Sequence, residues 1–525
     1  MVLIALALAV AATAVAAYAY YRAQRGDVLH PHARFIPEAA PKAPPKGPDR
    51  FAWPLYGYTK DHTRFFPSTQ VRPPFQKRWT FAGTHALLEF PPVISGGKLF
   101  QLNDDAILNA VDKETGKLRW ARKLGALSAS APAAGGDAVY VTILERDRGG
   151  SAGRVMSLDA NSGRIKWTRD IVSRTESSPL LDGGRLYFGS EGGTVYAMDA
   201  RNGHVVWTYH AGGAVKASPT LRHGLLYFGD YGGHVQAVRE NDGHRVWVTS
   251  GGGGLLGDGE FYSTPALRYG RVFIGNTNGR VYAFDAGSGK LDWAHQTGAY
   301  VYSSPAVTET PGLGPTVYIG SYDGNFYALD AHTGGIRWQR DARGRISGSP
   351  TIVGNIVYFA DLGRRSTLGL DTRTGHLQYE RHAGSFDPVI SDGKWLYLTG
   401  TTGLTALVPT SLLPKPRPVA PSKPPAPAKP PSKPPAPPPA PAKPPAKPPA
   451  PAKPPAKPPV SAAQGGLPGY PATSLATFTP VPPRPAPAAP KPAPRPAPRP
   501  APRPAPRRPH RRRHHPSGQL QKIIP

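Results

Sequence analysis

Between residues 75 and 408 short apolar runs alternate with clusters of turn-forming residues at a steady pitch. The stretch YALDAHTGGIRW (327–338) shows the unit. Tyr327 to Asp330 alternate as a strand does, Asp330 and Thr333 offer side-chain acceptors to a turn, Gly334 is free to take positive φ, and Ile336 to Trp338 resume a strand. This pattern predicts a hairpin. It recurs as NAVDKETGKLRW ending at Trp120, MSLDANSGRIKW at Trp167, YAMDARNGHVVW at Trp207, QAVRENDGHRVW at Trp247, YAFDAGSGKLDW at Trp293 and, with Tyr379 in place of Trp, LGLDTRTGHLQY. The aromatic ends lie 40 to 47 residues apart, the period of a four-stranded propeller blade.

A second unit precedes each hairpin. SSPLLDGGRLYFGSEGG (177–193) and its counterparts open a strand at a Ser/Thr-Pro step, turn, and run into an apolar aromatic strand ending in Gly. The opening prolines are Pro92, Pro132, Pro179, Pro219, Pro265, Pro305, Pro350 and Pro388, but only seven complete hairpins follow them. The last unit stops after its third strand. Its missing outer strand is expected in FQKRWTFAG (75–83), which places Trp79 where an outer-strand Trp belongs. The fold class is therefore all-β: an eight-bladed propeller of four-stranded antiparallel blades, closed by pairing the N-terminal strand with the C-terminal three. Trp79, Trp120, Trp167, Trp207, Trp247, Trp293 and Trp338 recur once per blade, which marks them as packing residues and not as a single catalytic cluster.

Residues 53–408 resemble the repeats of the pyrroloquinoline-quinone-type propeller family, and WPLYGYTKDHTRFFP (53–67) resembles the leader that precedes the first blade there. The resemblance implies the fold. Family members divide between quinoprotein dehydrogenases and non-catalytic scaffolds, the latter including the propeller lipoprotein of outer-membrane assembly. In the dehydrogenases the family implies a quinone stacked between a Trp and a disulfide, with Ca²⁺ held by Glu, Asn and Asp, and an Asp as base. This sequence has no Cys, and no Glu, Asn and Asp set stands above the background of turn residues. Asn103, Asp104 and Asp105, like Asp258 and Glu260, read as solvated turns. No cofactor and no metal site is expected, and no catalytic residue is assigned.

Composition adds two flanking parts. The chain holds 65 Pro and 59 Gly, too many for one compact domain. Residues 409–525 read as a disordered, basic, Pro-rich tail of polyproline II character. Residues 411–525 carry 20 of the 63 Lys and Arg and no acid; the other 43 cations against all 34 acids leave only +9 of the net +29. Extended at about 3.1 Å per residue, the tail reaches at most roughly 350 Å. It suits an anionic wall polymer or lipid surface, and without interleaved aromatics no nucleic acid is expected. At the other end VLIALALAVAATAVAAYAYY is long enough to cross a bilayer and is followed by Arg22 and Arg25, so residues 1–25 read as a transmembrane anchor, with a signal peptide cleaved near Ala17-Tyr18-Ala19 as the competing reading. Residues 26–50 form a Pro-rich linker. The positive-inside tendency would keep the propeller in the cytoplasm, whereas the family's habit favours the extracytoplasmic side, which is the expectation adopted.

In a propeller the B-to-C turns and D-to-A loops share one face around the central channel. The longest of each, LERDRGGSAG (144–153) and TSGGGGLLGDGEFY (249–262), fall there. Glu191, Asp230, Tyr231, Asn276, Tyr322, Asp323 and Asp361 sit in its turns, and Lys216, Tyr300, Tyr302 and Arg345 on the approaches to strand A. This mixed polar and aromatic rim suits a peptide or protein partner. The functional expectation is a membrane-anchored, non-enzymatic scaffold of the cell envelope. The alternatives are a membrane-bound pyrroloquinoline-quinone-dependent dehydrogenase and a ligand-sensing propeller.

Overall fold

The computed structural model describes Thr13 and residues 27–30, 34–39, 52–83, 86–252, 258–384, 386 and 389–413. Eight antiparallel sheets follow one another along the chain, each meandering from an inner strand A to an outer strand D. Blade 1 is typical, with Val93–Ser95, Lys98–Leu102, Ile107–Asp112 and Leu118–Lys123 in that order. Blade 8 combines Val389–Ser391, Leu396–Thr399 and Leu404–Pro409 with Phe75–Phe81 from the other end of the propeller, Trp79 opposite Ala406. Pairing the two ends removes the open edge a linear meander would leave. The apolar run at 2–21, apart from Thr13, and the tail from 414 lie outside the described residues. Among the described residues no helix is long and apolar enough to cross a membrane.

Each outer-strand Trp does one job on the next blade. Its indole N–H donates to a carbonyl at the neighbouring C-to-D turn: Trp79 to Lys113 at 3.1 Å, Trp167 to Ala200 at 2.9 Å, Trp293 to Ala331 at 3.1 Å, with Trp120, Trp207, Trp247 and Trp338 doing the same to Ala160, Glu240, Ala286 and Thr372. The ring lies on the turn glycine. A Cβ on Gly334 would come within 2.5 Å of the Trp293 ring, and φ there is +71°. The repeat's Gly is thus required twice, for the left-handed turn and for the indole above it. Tyr379 departs from the pattern for a topological reason: blade 8 takes strands C and D from opposite chain ends and has no hairpin for an indole to cap. Tyr379 instead meets Phe75 edge-on at 5.4 Å.

The Ser/Thr-Pro steps tie the inner ring. Four of the hydroxyls accept the amide of the preceding blade, Ala131 N to Ser178 (2.9 Å), Ser218 N to Thr264 (3.2 Å), Thr264 N to Ser304 (3.0 Å) and Ser304 N to Ser349 (3.1 Å), while the Ser218 hydroxyl donates to the Ser178 carbonyl (2.8 Å). Below this ring the leader crosses the channel. Trp53 bridges Ile94, the carbonyls of Pro54, Lys60, Asp61, Thr63 and Arg64 accept amides of strand A in blades 2, 4, 5, 6 and 7, and Phe65–Phe66 pairs parallel with Thr351–Val353. The leader therefore plugs this end of the channel, tied to strand A of six blades.

Part of the segment read as a linker also packs on the propeller. Asp27–Val28 adds a fifth strand to blade 5 beside Leu291–Gln296, and Phe35 stacks on Tyr269 at 5.0 Å. Glu38 accepts the Tyr269 amide (2.8 Å) and pairs with Arg222 (2.8 Å). Beneath Phe35 lies a buried ion pair, Arg271 to Asp292 at 2.9 Å.

Candidate functional site

The open end of the channel is built by a sequence register. In blades 1, 3, 4, 5 and 6 the residue three places before the opening Pro lies at the mouth: Glu89, Glu176, Lys216, Tyr262 and Tyr302. A second layer comes from the start of each B-to-C turn, Glu191, Tyr231 and Tyr322, whose amides are held by the carbonyls of Arg174, Ala214 and Tyr300. Strand A and strand B of one blade thus fix each pair of mouth residues together.

Lys216 organises one side. Its ammonium lies 2.9 Å from Glu176 and 3.0 Å from Glu191, and 5.2 Å from the centre of the Tyr231 ring. Arg174 extends the network to Glu191 (3.6 Å) and Glu145 (3.4 Å). On the other side the tyrosines run as a row: Tyr231 to Tyr262 at 6.3 Å, Tyr262 to Tyr302 at 5.7 Å, Tyr302 to Tyr322 at 4.9 Å, with Tyr300 edge-on to Tyr302 at 5.9 Å. The Arg345 guanidinium closes the row 5.8 Å over Tyr322.

Burial and charge divide the carboxyls. Enclosure raises the Glu176 pKa despite the opposing pull of Lys216, while for Glu191 the same burial is outweighed by Lys216 and Arg174, and its pKa falls. Lys216 is held in its charged form: burial alone would lower its pKa, and the two carboxylates reverse that. Glu89 has no such cation; burial, then Glu176 and Asp104, push it up to about 7. The folded state therefore holds the Glu89 proton more tightly than the unfolded chain, whose Glu titrates near 4.5. Stability contributed by this group is present below pH 4.5 and is lost as pH rises through 7. We expect Glu89→Gln to flatten the pH dependence of the melting temperature across that window, read from thermal melts between pH 4.5 and 8. The hydroxyls of Tyr231 and Tyr262 are raised by burial first, with Glu176 next, so both stay donors at neutral pH.

Of the residues singled out from sequence, Glu191, Lys216, Tyr231, Tyr300, Tyr302, Tyr322 and Arg345 converge here. Asp230, Asn276 and Asp361 do not present themselves to a partner. All three are fully buried, and their side chains serve turns: Asp230 accepts the His234 amide (3.0 Å), Asn276 that of Asn278 (2.7 Å) and Asp361 that of Gly363 (2.8 Å). Asp323, half-buried, accepts from Gly298 N and the Tyr327 hydroxyl. Sequence reasoning missed Glu89, Glu176 and Tyr262. Aligning the blades on their opening prolines finds them, because Lys216 and Tyr302 occupy the same column.

The sequence model described as outer membrane protein assembly factor BamB matches residues 76–170, 151–300 and 304–411, which together make up more than half of the chain. The chain belongs to the BamB family. No curated protein matches the sequence. Among solved structures, BamB from Moraxella catarrhalis is similar at 17% identity and a TM-score of 0.51, over 64% of this chain and 99% of that one. A europium-containing methanol dehydrogenase is similar at 14% identity and a TM-score of 0.56, over 66% of this chain and 89% of that one. A quinohemoprotein alcohol dehydrogenase from Comamonas testosteroni gives 14% and 0.56, over 68% and 80%. At these identities the structural likenesses show the propeller fold and nothing finer.

The fold family raises the question of a quinone and a divalent cation, and the donor set answers it. Glu176 and Glu191 both hold the Lys216 ammonium, which repels a divalent cation at the same carboxylates, and the chain has no Cys for a stacked disulfide. Among the described residues no group of three or more His, Cys, Asp or Glu is disposed to hold a metal ion. These residues do not fit that pair of ligands.

Proposed function

We propose that this chain is a membrane-tethered, non-enzymatic propeller of the cell envelope that binds an extended segment of a protein partner at the channel mouth. The observation that carries the reading is the tyrosine row from Tyr231 to Tyr322 facing the Lys216 ion-pair network. Tyrosines combine large contact area with a hydrogen-bonding hydroxyl and lose little side-chain entropy on binding, which is why such surfaces recur at protein interfaces. The plug below the mouth makes the site a shallow cup suited to surface recognition. Membership of the BamB family supports a protein partner at a propeller face. The apolar run at 2–21 supports the tether, and the position of the propeller outside the cytoplasm follows the family's habit. The tail at 409–525 supplies a cationic surface for a wall polymer or lipid headgroups.

The dehydrogenase likenesses favour one competing reading, quinone-dependent oxidation. Calorimetric titration of the full chain with pyrroloquinoline quinone and Ca²⁺, alongside dye reduction with alcohols and sugars, separates the two. We expect neither one-to-one binding nor turnover. Tight stoichiometric uptake with turnover would replace the scaffold reading.

A further inference from the structure

The circumference of the propeller is not uniform. On each outer strand the two residues flanking the Trp, or Tyr379 in blade 7, lie on the side away from the next blade. In blades 1, 2, 5, 6, 7 and 8 this pair includes a charged residue, Arg119, Lys166, Asp292, Arg337, Glu380 and Arg78 in turn, of which Asp292 is buried in its ion pair with Arg271. Blades 3 and 4 carry no charge there. Val206 stands beside Thr208 in blade 3, and Val246 and Val248 fill both places in blade 4; each valine is more than 40% exposed. Charged residues are the usual guard on an open outer strand, so their absence from these positions in two adjacent blades, where Thr208 is the one polar residue of the four, marks a surface suited to something apolar.

The next blade in order is the one that receives the N-terminal strap. Asp27–Val28 covers the outer strand of blade 5, and the exposed Val28 and Leu29 continue the apolar character of blades 3 and 4. The strap also fixes a distance. Only five residues separate Tyr21, the end of the apolar run, from Asp27, so that run ends within roughly 20 Å of the blade 5 edge. A membrane anchor tied this closely would hold the disc by its side, next to the apolar circumference of blades 3 and 4.

We propose that the circumference of blades 3 to 5 rests against the bilayer surface, so that the propeller stands edge-on and its mouth opens sideways into water. The proposal rests on the reading of residues 1–25 as an anchor. Exposed valines and Leu29 enter the interfacial zone, and the charged circumference of blades 8 and 1, on the far side of the ring, stays in solvent.

The chain has no native Cys, which allows a clean test. The full chain carrying single substitutions Val206→Cys or Val248→Cys, and Arg78→Cys or Arg119→Cys for the far side, is labelled with an environment-sensitive fluorophore. Each is reconstituted in phosphatidylcholine and phosphatidylglycerol vesicles containing a headgroup-depth quencher lipid. We expect quenching at Val206 and Val248 to exceed that at Arg78 and Arg119 several-fold. Equal quenching in a chain that floats with the vesicles overturns the edge-on placement and leaves the anchor standing. A chain that does not float with vesicles overturns the anchor, and this inference with it.

Discussion

Trp293→Ala is expected to lower the free energy of unfolding by about 3 to 5 kcal/mol, the range for emptying a large aromatic site that cannot collapse. Trp293 is fully buried between blades 5 and 6, where it covers Gly334 and donates to the Ala331 carbonyl. Truncation opens a cavity and removes one of the two hydrogen bonds to that carbonyl, Arg271 keeping the other at 2.9 Å. The strap has no means to fill the gap, since Val28 already pairs with residue 293 through its backbone. Trp338 makes the same contacts on blade 7 but is partly exposed, so Trp338→Ala should cost visibly less. Denaturant melts of the two variants side by side check the ordering; equal losses would mean that the indole's burial is not what carries the stability.

The second large effect is expected at the closing seam. Lys113 of blade 1 and Asp392 of blade 8 are both buried and meet at 2.8 Å, and the Tyr397 hydroxyl donates to the same carboxylate at 3.0 Å. Asp392→Ala strands the ammonium with only the half-exposed Glu114 for company, and breaking a buried pair in this way costs about 3 to 5 kcal/mol. Replacing both partners by apolar residues, Lys113→Met with Asp392→Leu, should recover most of that loss, because no charge then remains to be desolvated. Calorimetric unfolding of the single and double variants measures it. A double variant as unstable as the single would show that the pair, and not its desolvation, holds the seam.

The architecture was legible because it repeats. A hairpin signal that returns every 40 to 47 residues with an aromatic at its end leaves few alternatives, and the missing strand at the last unit pointed directly to residues 75–83. The reason for the repeat's Gly was only half visible: turn chemistry explains the positive φ, but the indole pressed on it comes from the previous blade. The mouth was partly legible. Lys216, Tyr231 and Tyr302 stand out as side chains unsuited to a turn, whereas Asp230, Asn276 and Asp361 have the chemistry of both a turn and a binding surface, and sequence alone cannot say which use wins. Glu176 looked like one more loop carboxylate until its partner, 40 residues away, was placed beside it. The strap on blade 5 had no local signature at all, since its partners lie more than 180 residues further along.

The central claim is that a partner docks at the mouth, and site-specific photo-crosslinking in native membranes tests it most directly. A photoreactive residue is placed at Tyr300, exposed on the rim, and in a second chain at Ser288, on the C-to-D turn of the opposite face. The account predicts a discrete adduct at 300 that Tyr262→Ala and Tyr302→Ala weaken, and none at 288. Adducts at 288 alone, or adducts at 300 indifferent to both substitutions, would contradict it.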